Sequence, residues 1–426
     1  MPNTLLIACC DGAVQPTRIR QPRPSDEWMD AAAKYKVRDP SANTPTISPH
    51  LGDTPAITTT KTHRIDSIRG ILTMQAVIFK GPLQVALEER PRPQLQEPTD
   101  VILKVRYTAL CGRQHSELHV FRGHQPSGTG FIMGHEFTGE VVETGADVKS
   151  FKAGDRVVSP FTVSCGSCFY CESGFSSRCA KGQLYGSAIL DGGQAEYVRI
   201  PLADSTLFQA PAAIDEKKLV LMADIFPTGY FAASNAFRSL EPKAIANSTV
   251  LLFGCGPVGI CALVSALEYR PKHLIAIDSV PSRLQLAESL GAEAWNFAEN
   301  EQGLRDRVKS ITDGRGADVV IEVVGHSSAL RMGFELLRPW GVMSSVGVHN
   351  GEIPWTGNEA YGKNLRLQMG RCPVRSIFAP AMDLLAKKQD TLNFMAEDIR
   401  PLSQAVQAYD DFNQMKSQKV IFEASK

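Results

Sequence analysis

Residues 250–278 read VLLFGCGPVGICALVSALEYRPKHLIAID, and this stretch decides the fold. It predicts a buried strand at 250–253, a glycine turn at 254–259, a helix to about Tyr269 and a second strand ending at Asp278. That order indicates a Rossmann unit, in which glycines let the backbone approach a pyrophosphate and the helix N-terminus stabilises its charge. The alternative is a nucleotide-free α/β sheet that contains a glycine turn.

The same stretch supplies candidate cofactor ligands. They are Gly254, Gly256, Pro257, Val258 and Gly259 in the turn, and Asp278 at the end of the second strand. A carboxylate at this last position can accept hydrogen bonds from the adenosine ribose and would repel a 2′-phosphate, so NAD is favoured over NADP. Further along, DVVIEVVG and GVMSSVGV, on either side of the predicted helix ALRMGFELLRPWG, continue a parallel sheet.

Upstream, from Met74 to about Ile200, short β runs alternate with glycine and proline. The runs are QAVIFK, DVILKVRYTAL, TGEVVETG, DRVVSPF and GGQAEYVRI. They predict a compact, strand-rich, barrel-like domain.

Four cysteines lie within that region, at Cys165, Cys168, Cys171 and Cys179. Thiolates at this density suit a closed tetrahedral zinc site. A disulfide framework would need an oxidising compartment, and no secretory signal is evident. An iron–sulfur cluster also takes four thiolates and is a further alternative.

The composition fits a two-domain globular protein, with 426 residues, 43% of them hydrophobic, a formal net charge of zero and a pI of about 7.1. This charge balance gives no reason to expect nucleic acid or an anionic membrane as a partner. Residues 250–267 approach membrane-span length, but the glycines and Pro257 favour the turn and helix, so no span is predicted. Ten cysteines are consistent with a reducing compartment.

Residues 1–73 are rich in proline, threonine and serine, which is typical of a disordered extension. Arg18 and Arg20 suggest a mitochondrial presequence, whereas Asp11 and Asp26 argue against one. The extension is a flexible tail, a weak targeting segment or the product of a misplaced start codon.

The motifs GHExxGxVxxxG from Gly134, the four-cysteine spacing, DGGQAEYV and the glycine turn together resemble those of zinc-dependent medium-chain dehydrogenases, which include alcohol, sorbitol and threonine dehydrogenases. The resemblance covers about residues 74–423. It implies a GroES-like strand-rich catalytic domain at 74–224 and 373–426, with a structural zinc lobe at about 160–185. It also implies a Rossmann cofactor domain, with a doubly wound parallel sheet, at 225–372.

The resemblance further implies a catalytic zinc held by Cys111, His135 and Asp224. An aspartate in the third position is similar to glutathione-independent formaldehyde dehydrogenase. Three protein ligands leave zinc an open position for substrate. Glu136 is either a neighbouring or transient ligand, or a buried, paired carboxylate.

Other roles rest on the same resemblance. Ser116 and His119 would relay the proton, and Phe161 would line the substrate pocket, unless it is an ordinary core aromatic. Three further residues would contact the cofactor: Thr228 at the nicotinamide, Arg283 at the adenosine ribose and Lys419 near the pyrophosphate.

The chain departs from the family pattern directly after Gly112. Removal of residues 113–115 leaves CGSELHVFRG, a close family match, so these three residues are either a genuine insertion beside the catalytic zinc or a gene-model error at an exon junction. A genuine insertion would displace Ser116, and we expect it to impair alcohol oxidation.

The expected activity is hydride transfer between an alcohol, or an aldehyde or ketone, and NAD, with two zinc ions per chain. The alternatives are an aldehyde-active relative of formaldehyde dehydrogenase or dismutase, and a catalytically impaired protein that binds NAD and zinc. The resemblance also implies a homodimer or homotetramer with a small-molecule substrate. The expected location is cytoplasmic, or mitochondrial if residues 1–73 include a presequence.

Overall fold

The computed structural model describes residues 72–112 and 117–424. The predicted N-terminal extension lies outside them apart from its last two residues, and the predicted insertion and Ser116 lie outside them entirely. Within the described chain, no helix is long and apolar enough to cross a membrane.

The first described part of the chain, from residue 72, is rich in strands. Its strands are β1 (Thr73–Gly81), β2 (Gln84–Pro91), β3 (Val101–Ala109), β4 (Glu136–Thr144), β5 (Arg156–Ser159), β6 (Tyr197–Ile200) and β7 (Phe208–Gln209). Its helices are α1 (Glu117–Phe121), α2 (Phe169–Glu172), α3 (Ala203–Thr206) and α4 (Glu216–Leu219), with 3₁₀ turns at Ser176–Arg178 and Val220–Ala223.

The middle of the chain alternates helices and strands. They are α5 (Ile225–Phe237), α6 (Pro242–Ala246), β8 (Thr249–Phe253), α7 (Pro257–Leu267), β9 (His273–Asp278), α8 (Pro281–Ser289), β10 (Glu293–Asn296), α9 (Glu301–Ile311), β11 (Ala317–Glu322), α10 (Ser327–Leu336), β12 (Leu337–Ser345), α11 (Gly357–Lys363), β13 (Arg366–Met369) and α12 (Val374–Lys388). The C-terminal part contains 3₁₀ segments at Gln389–Ala396 and Leu402–Gln404, with β14 (Ile399–Pro401), α13 (Ala405–Asn413) and β15 (Ile421–Glu423).

Strands β8 to β13 form a parallel sheet in the order β10-β9-β8-β11-β12-β13. Numbered from β8, this is the 3-2-1-4-5-6 order of a Rossmann fold, which confirms the predicted class. All five residues of β8 are buried, as expected for a central parallel strand covered on both faces. The chain order reverses beside β8, so a crevice opens at its carboxyl end.

The other large sheet has the order β14-β15-β3-β4-β5-β7, and β6 also pairs with β3. The last strand, β15, runs antiparallel to β3, with Ile421 opposite Ala109. The C-terminal segment therefore returns to the strand-rich part of the molecule, where its side chains reach the site described below.

The predicted C-terminal end of helix α10 is wrong. The sequence predicted a helix through ALRMGFELLRPWG, but α10 ends at Leu336 and β12 begins at Leu337. Pro339 explains the early stop, because proline lacks an amide hydrogen and disfavours helical geometry in the residue before it.

Candidate active site

Three segments that are distant in sequence bring the predicted metal ligands together. Cys111 follows β3 and His135 directly precedes β4, and these strands pair so that Ala109 lies opposite Glu136. Asp224 directly precedes α5. The antiparallel pairing places the first two side chains, and the turn into α5 adds the third.

The spacing of these side chains fits a metal ion. Cys111 Sγ and His135 Nε2 each lie 3.4 Å from Asp224 Oδ2. Ligand atoms of these three residues and Glu136 all lie within 4.8 Å of one another, and all four residues are buried. Bonds of about 2.0–2.3 Å in a tetrahedral zinc site place ligand atoms roughly 3.3–3.8 Å apart. The cluster therefore suits zinc in donor chemistry and in spacing.

Burial makes charge in this cluster unfavourable without a cation. Desolvation raises the pKa of the Cys111 thiol to about 11, and Glu136 and Asp224 add to the effect. Desolvation also raises the pKa of Glu136, although Lys419 opposes this. Burial opposes protonation of His135, yet Cys111 and Asp224 raise its pKa well above the usual value. A divalent cation would stabilise the thiolate and the carboxylate together.

Lys419 lies beside this cluster, and its predicted role near the pyrophosphate stays a prediction. Its ammonium forms a fully buried ion pair with Glu136 and donates a 2.9 Å hydrogen bond to Leu110 O. The hydrogen bond from Leu110 N to Val420 O explains the placement, because it brings residue 419 against the end of β3. Glu136 is therefore a buried, paired carboxylate, and its role as a neighbouring or transient ligand stays a prediction.

Glu117 is a residue that the sequence prediction missed. It lies on α1, and its Oε2 is 4.0 Å from His135 Nδ1, the ring nitrogen that does not face Asp224. Metal-binding histidines commonly donate their second N–H to a carboxylate. The sequence signal that could have identified Glu117 was its position in SELH, directly after the predicted relay residue Ser116.

His119, the other predicted relay residue, also lies on α1 and is half-buried. Its ring meets the His124 ring edge-on, with 4.6 Å between centroids. Its predicted partner Ser116 falls outside the described residues, so the relay stays a prediction.

Two further predicted residues lie close to the metal ligands. Phe161 is buried, with its ring 6.2 Å from that of His135, which suits either the pocket wall or core packing. Thr228 lies on α5, where its hydroxyl donates a 2.8 Å hydrogen bond to Asp224 Oδ1. Thr228 is fully buried and orients the candidate ligand Asp224, a contact that the sequence prediction did not include.

The four remaining predicted ligands, Cys165, Cys168, Cys171 and Cys179, form a separate group around α2. Their sulfur atoms lie within 4.8 Å of one another, and all four are free thiols. Backbone N–H groups of Ala180 and Cys171 lower the pKa of Cys168 to about 6. Cys165 Sγ and Cys179 Sγ are 3.5 Å apart, which suits a tetrahedral thiolate site and exceeds a disulfide bond length.

A cleft of about 590 Å³ opens between the two sheets. All five predicted residues of the glycine turn line it. Gly254 has φ +94°, and a Cβ on Gly259 would lie 1.9 Å from Gly254 O, so both positions require glycine. The wall opposite the turn includes Gly112, Leu118 and Phe412.

Asp278 and Arg283 also line the cleft. The Asp278 carboxylate accepts hydrogen bonds of 2.7 Å from Cys255 N, 2.8 Å from Ser279 N and 3.0 Å from Val280 N. Arg283 Nη1 is 3.8 Å from Asp278 Oδ2. Backbone contacts therefore hold the carboxylate in place at the carboxyl end of β9.

Arg122 is a second residue that the sequence prediction missed. It lines the cleft on the side opposite the glycine turn, and its Nε donates a 2.7 Å hydrogen bond to Asn413 Oδ1. Its Nη2 donates to Asn413 O at 3.1 Å. Among the described residues that line this cleft, Arg122 and Arg283 are the two that carry a permanent positive charge.

A strand-rich sheet domain with a buried Cys–His–Asp cluster, joined to a Rossmann sheet, defines a two-domain metal-dependent dehydrogenase. Family models agree with this class. Residues 97–212 match the alcohol dehydrogenase GroES-like domain, and residues 257–387 match the zinc-binding dehydrogenase model.

Individual relatives give the same result. The chain is 66% identical to zinc-type alcohol dehydrogenase B of Aspergillus flavus over 82% of its own length and 81% of that protein. It is 32% identical to formaldehyde dismutase of Pseudomonas putida over 71% of its length and 82% of that protein. The structure of alcohol dehydrogenase TADH from Thermus sp. ATN1 matches with a TM-score of 0.75 at 31% identity, covering 82% of this chain and 99% of that one. The chain belongs to the zinc-type alcohol dehydrogenase family, and its substrate is a small molecule.

Proposed function

We propose that this protein is an NAD-linked, zinc-dependent alcohol dehydrogenase that transfers a hydride reversibly between an alcohol and NAD. The observation that carries the proposal is the buried Cys111–His135–Asp224 cluster, whose spacing suits zinc. The cleft lined by Gly112 and Leu118 on one side and by the glycine turn on the other supports it.

Each group in the site has a defined task. Zinc would supply Lewis-acid stabilisation of negative charge on the substrate oxygen, and NAD would accept the hydride. Cys111, His135 and Asp224 would hold the metal and leave a fourth position open. Thr228 keeps the Asp224 carboxylate oriented. His119 would pass the proton to solvent, because its ordinary pKa lies close to neutral pH.

The cofactor would lie along the cleft. The N-terminus of α7, with its glycine turn, would bind the pyrophosphate, and Arg122 would add a positive charge from the opposite wall. Asp278 would accept hydrogen bonds from the ribose hydroxyls of NAD and disfavour a 2′-phosphate.

A panel of alcohols and aldehydes, followed by NADH absorbance, tests the proposal, with zinc measured on the same protein. We expect two zinc ions per chain and turnover on at least one substrate. One zinc ion per chain together with no turnover on the whole panel would refute it and favour a protein that binds NAD and zinc without catalysis.

A second candidate activity is aldehyde dismutation, in which two aldehydes and water give one alcohol and one carboxylic acid. Asp224 as third ligand and the similarity to formaldehyde dismutase favour it. Incubation with formaldehyde as sole substrate and catalytic NAD distinguishes the two. Equal amounts of methanol and formate would support dismutation, whereas dependence on stoichiometric NAD would exclude it.

A further inference from the structure

Three buried polar side chains from separate segments meet behind the metal-ligand cluster. They are Glu117 on α1, Gln194 in the segment before β6, and Tyr409 on α13. Gln194 and Tyr409 are completely buried, and Glu117 is 5% exposed. Both the Tyr409 hydroxyl and Gln194 Nε2 donate hydrogen bonds to Glu117 Oε1. The Tyr409 oxygen also lies 2.8 Å from Gln194 Oε1, which closes the group into a triangle.

These contacts engage only one oxygen of the carboxylate. The other, Glu117 Oε2, is inaccessible to solvent and has no hydrogen-bond partner among the described residues. It lies 4.0 Å from His135 Nδ1, while His135 Nε2 lies 3.4 Å from Asp224 Oδ2. The imidazole thus lies between Asp224 and Glu117. A histidine that binds metal through Nε2 carries its proton on Nδ1, where a carboxylate can accept it.

The surroundings of this triangle are apolar, so burying its three polar side chains has a large free-energy cost. Tyr409 belongs to an apolar cluster, and its ring lies 5.0 Å from that of Phe121. Three polar side chains buried there cost free energy that apolar side chains of similar shape would not. Because Glu117 Oε2 faces His135, support of this histidine is a function that would account for keeping the polar side chains there.

We infer that Gln194 and Tyr409 are positioning residues: together they clamp Glu117 so that its free oxygen supports His135 as a metal ligand. The inference rests on the proposed function, because it concerns the catalytic zinc site. It connects α13, near the C-terminus, with the metal through a single side chain. It also assigns a task to the glutamine of DGGQAEYV, which no step of the proposed reaction uses.

Tyr409→Phe tests the clamp, because it removes one hydroxyl and keeps the ring. We expect the loss of the second zinc ion per chain to EDTA to be about 10-fold faster or more, in line with the effect of removing a support of a metal ligand. Gln194→Met, close in volume, should act in the same direction. Tyr185→Phe is the matched control, since Tyr185 is also fully buried but packs on Phe137 in another cluster.

A spectroscopic readout separates positioning from general stability. With cobalt in place of the zinc, the visible spectrum of Tyr409→Phe should differ from that of the wild type, and the spectrum of Tyr185→Phe should not. Wild-type zinc retention and an unchanged cobalt spectrum in both Tyr409→Phe and Gln194→Met would overturn the clamp while leaving the proposed function intact. A wild-type protein that binds zinc only at the four cysteines would overturn both.

Discussion

At the scale of single residues, Asp278 is the group that would select between the two nicotinamide cofactors. Three backbone N–H groups hold its carboxylate at the cleft, with Arg283 Nη1 3.8 Å away. A fixed negative charge repels a 2′-phosphate, whereas a nearby guanidinium attracts one.

We therefore predict that Asp278→Asn lowers the ratio of the NADPH Kd to the NADH Kd by about 10-fold, or about 1.4 kcal/mol. Asparagine keeps one acceptor oxygen for the turn but loses the charge. Fluorescence titration with each reduced cofactor measures the ratio. In the double variant with Arg283→Gln, the gain in relative affinity for NADPH should be lost. An unchanged Kd ratio in Asp278→Asn alone would contradict the role of Asp278 in cofactor selection.

Arg122 is the residue we assign to the pyrophosphate from the catalytic side of the cleft. We predict that Arg122→Gln weakens NADH binding about 10-fold, because a charge-assisted hydrogen bond contributes roughly 1.5–3 kcal/mol. Adenosine binding should change little, since adenosine lacks the pyrophosphate. Arg106→Gln is the control, because Arg106 pairs with Glu216 on the surface. An equal loss for NADH and adenosine would argue for a general distortion.

At the scale of elements, the segment between β3 and α1 connects two parts of the site. Cys111 lies near its start and Glu117 directly follows it as the first residue of α1, and both lie close to His135. The predicted insertion at 113–115 falls between them, next to the predicted relay hydroxyl of Ser116. A change in the length of this segment would therefore bear on the predicted proton relay, because the residues on either side of residues 113–116 lie close to the candidate metal ligands.

We predict that deletion of residues 113–115 raises the rate of alcohol oxidation by on the order of 100-fold, because misplacement of a catalytic group by about 1 Å can cost that much. Turnover of the two proteins should be compared at equal zinc content. NADH affinity is the internal control and should stay similar. Equal turnover would show that the insertion does not impair the reaction.

At the scale of the whole molecule, the two proposed metal sites would have different tasks. The four cysteines would saturate a tetrahedral metal ion with protein ligands, and they lie in a lobe with little other regular structure. The Cys111 site lies where two sheets and the C-terminal segment meet in a dense core. Loss of the first metal should therefore affect stability, and loss of the second should affect reactivity.

We predict that Cys171→Ser lowers the Tm by roughly 5 °C or more, because the lobe loses its metal cross-link. Its counterpart Cys111→Ser should lower the Tm by less and still bind NADH, but show no turnover. Calorimetry, zinc analysis and the substrate panel on both variants measure these differences. A larger fall in Tm for Cys111→Ser would reverse the assignment.

The sequence by itself determined the fold class, because the order of strand, glycine turn, helix, strand and acid is a local pattern that only a Rossmann unit satisfies well. It also named every member of the two clusters that contain cysteine, since the donor atoms and the spacing typical of the family can be identified in the sequence. The ends of helices and strands were predicted less well where a helix-breaking residue such as Pro339 follows an apolar helical pattern.

Only the tertiary structure decided which side chains meet across distant segments. The pairing of β15 with β3 places Lys419 on Glu136, and the packing of α13 brings Tyr409 to Glu117. The tertiary structure likewise turns Thr228 toward Asp224. Contacts of this kind depend on register and helix packing between segments up to 292 residues apart, which no local pattern encodes. The sequence therefore named the candidate metal ligands and the glycine turn, but it did not name Arg122 in the cleft or the residues that hold the candidate ligands in place.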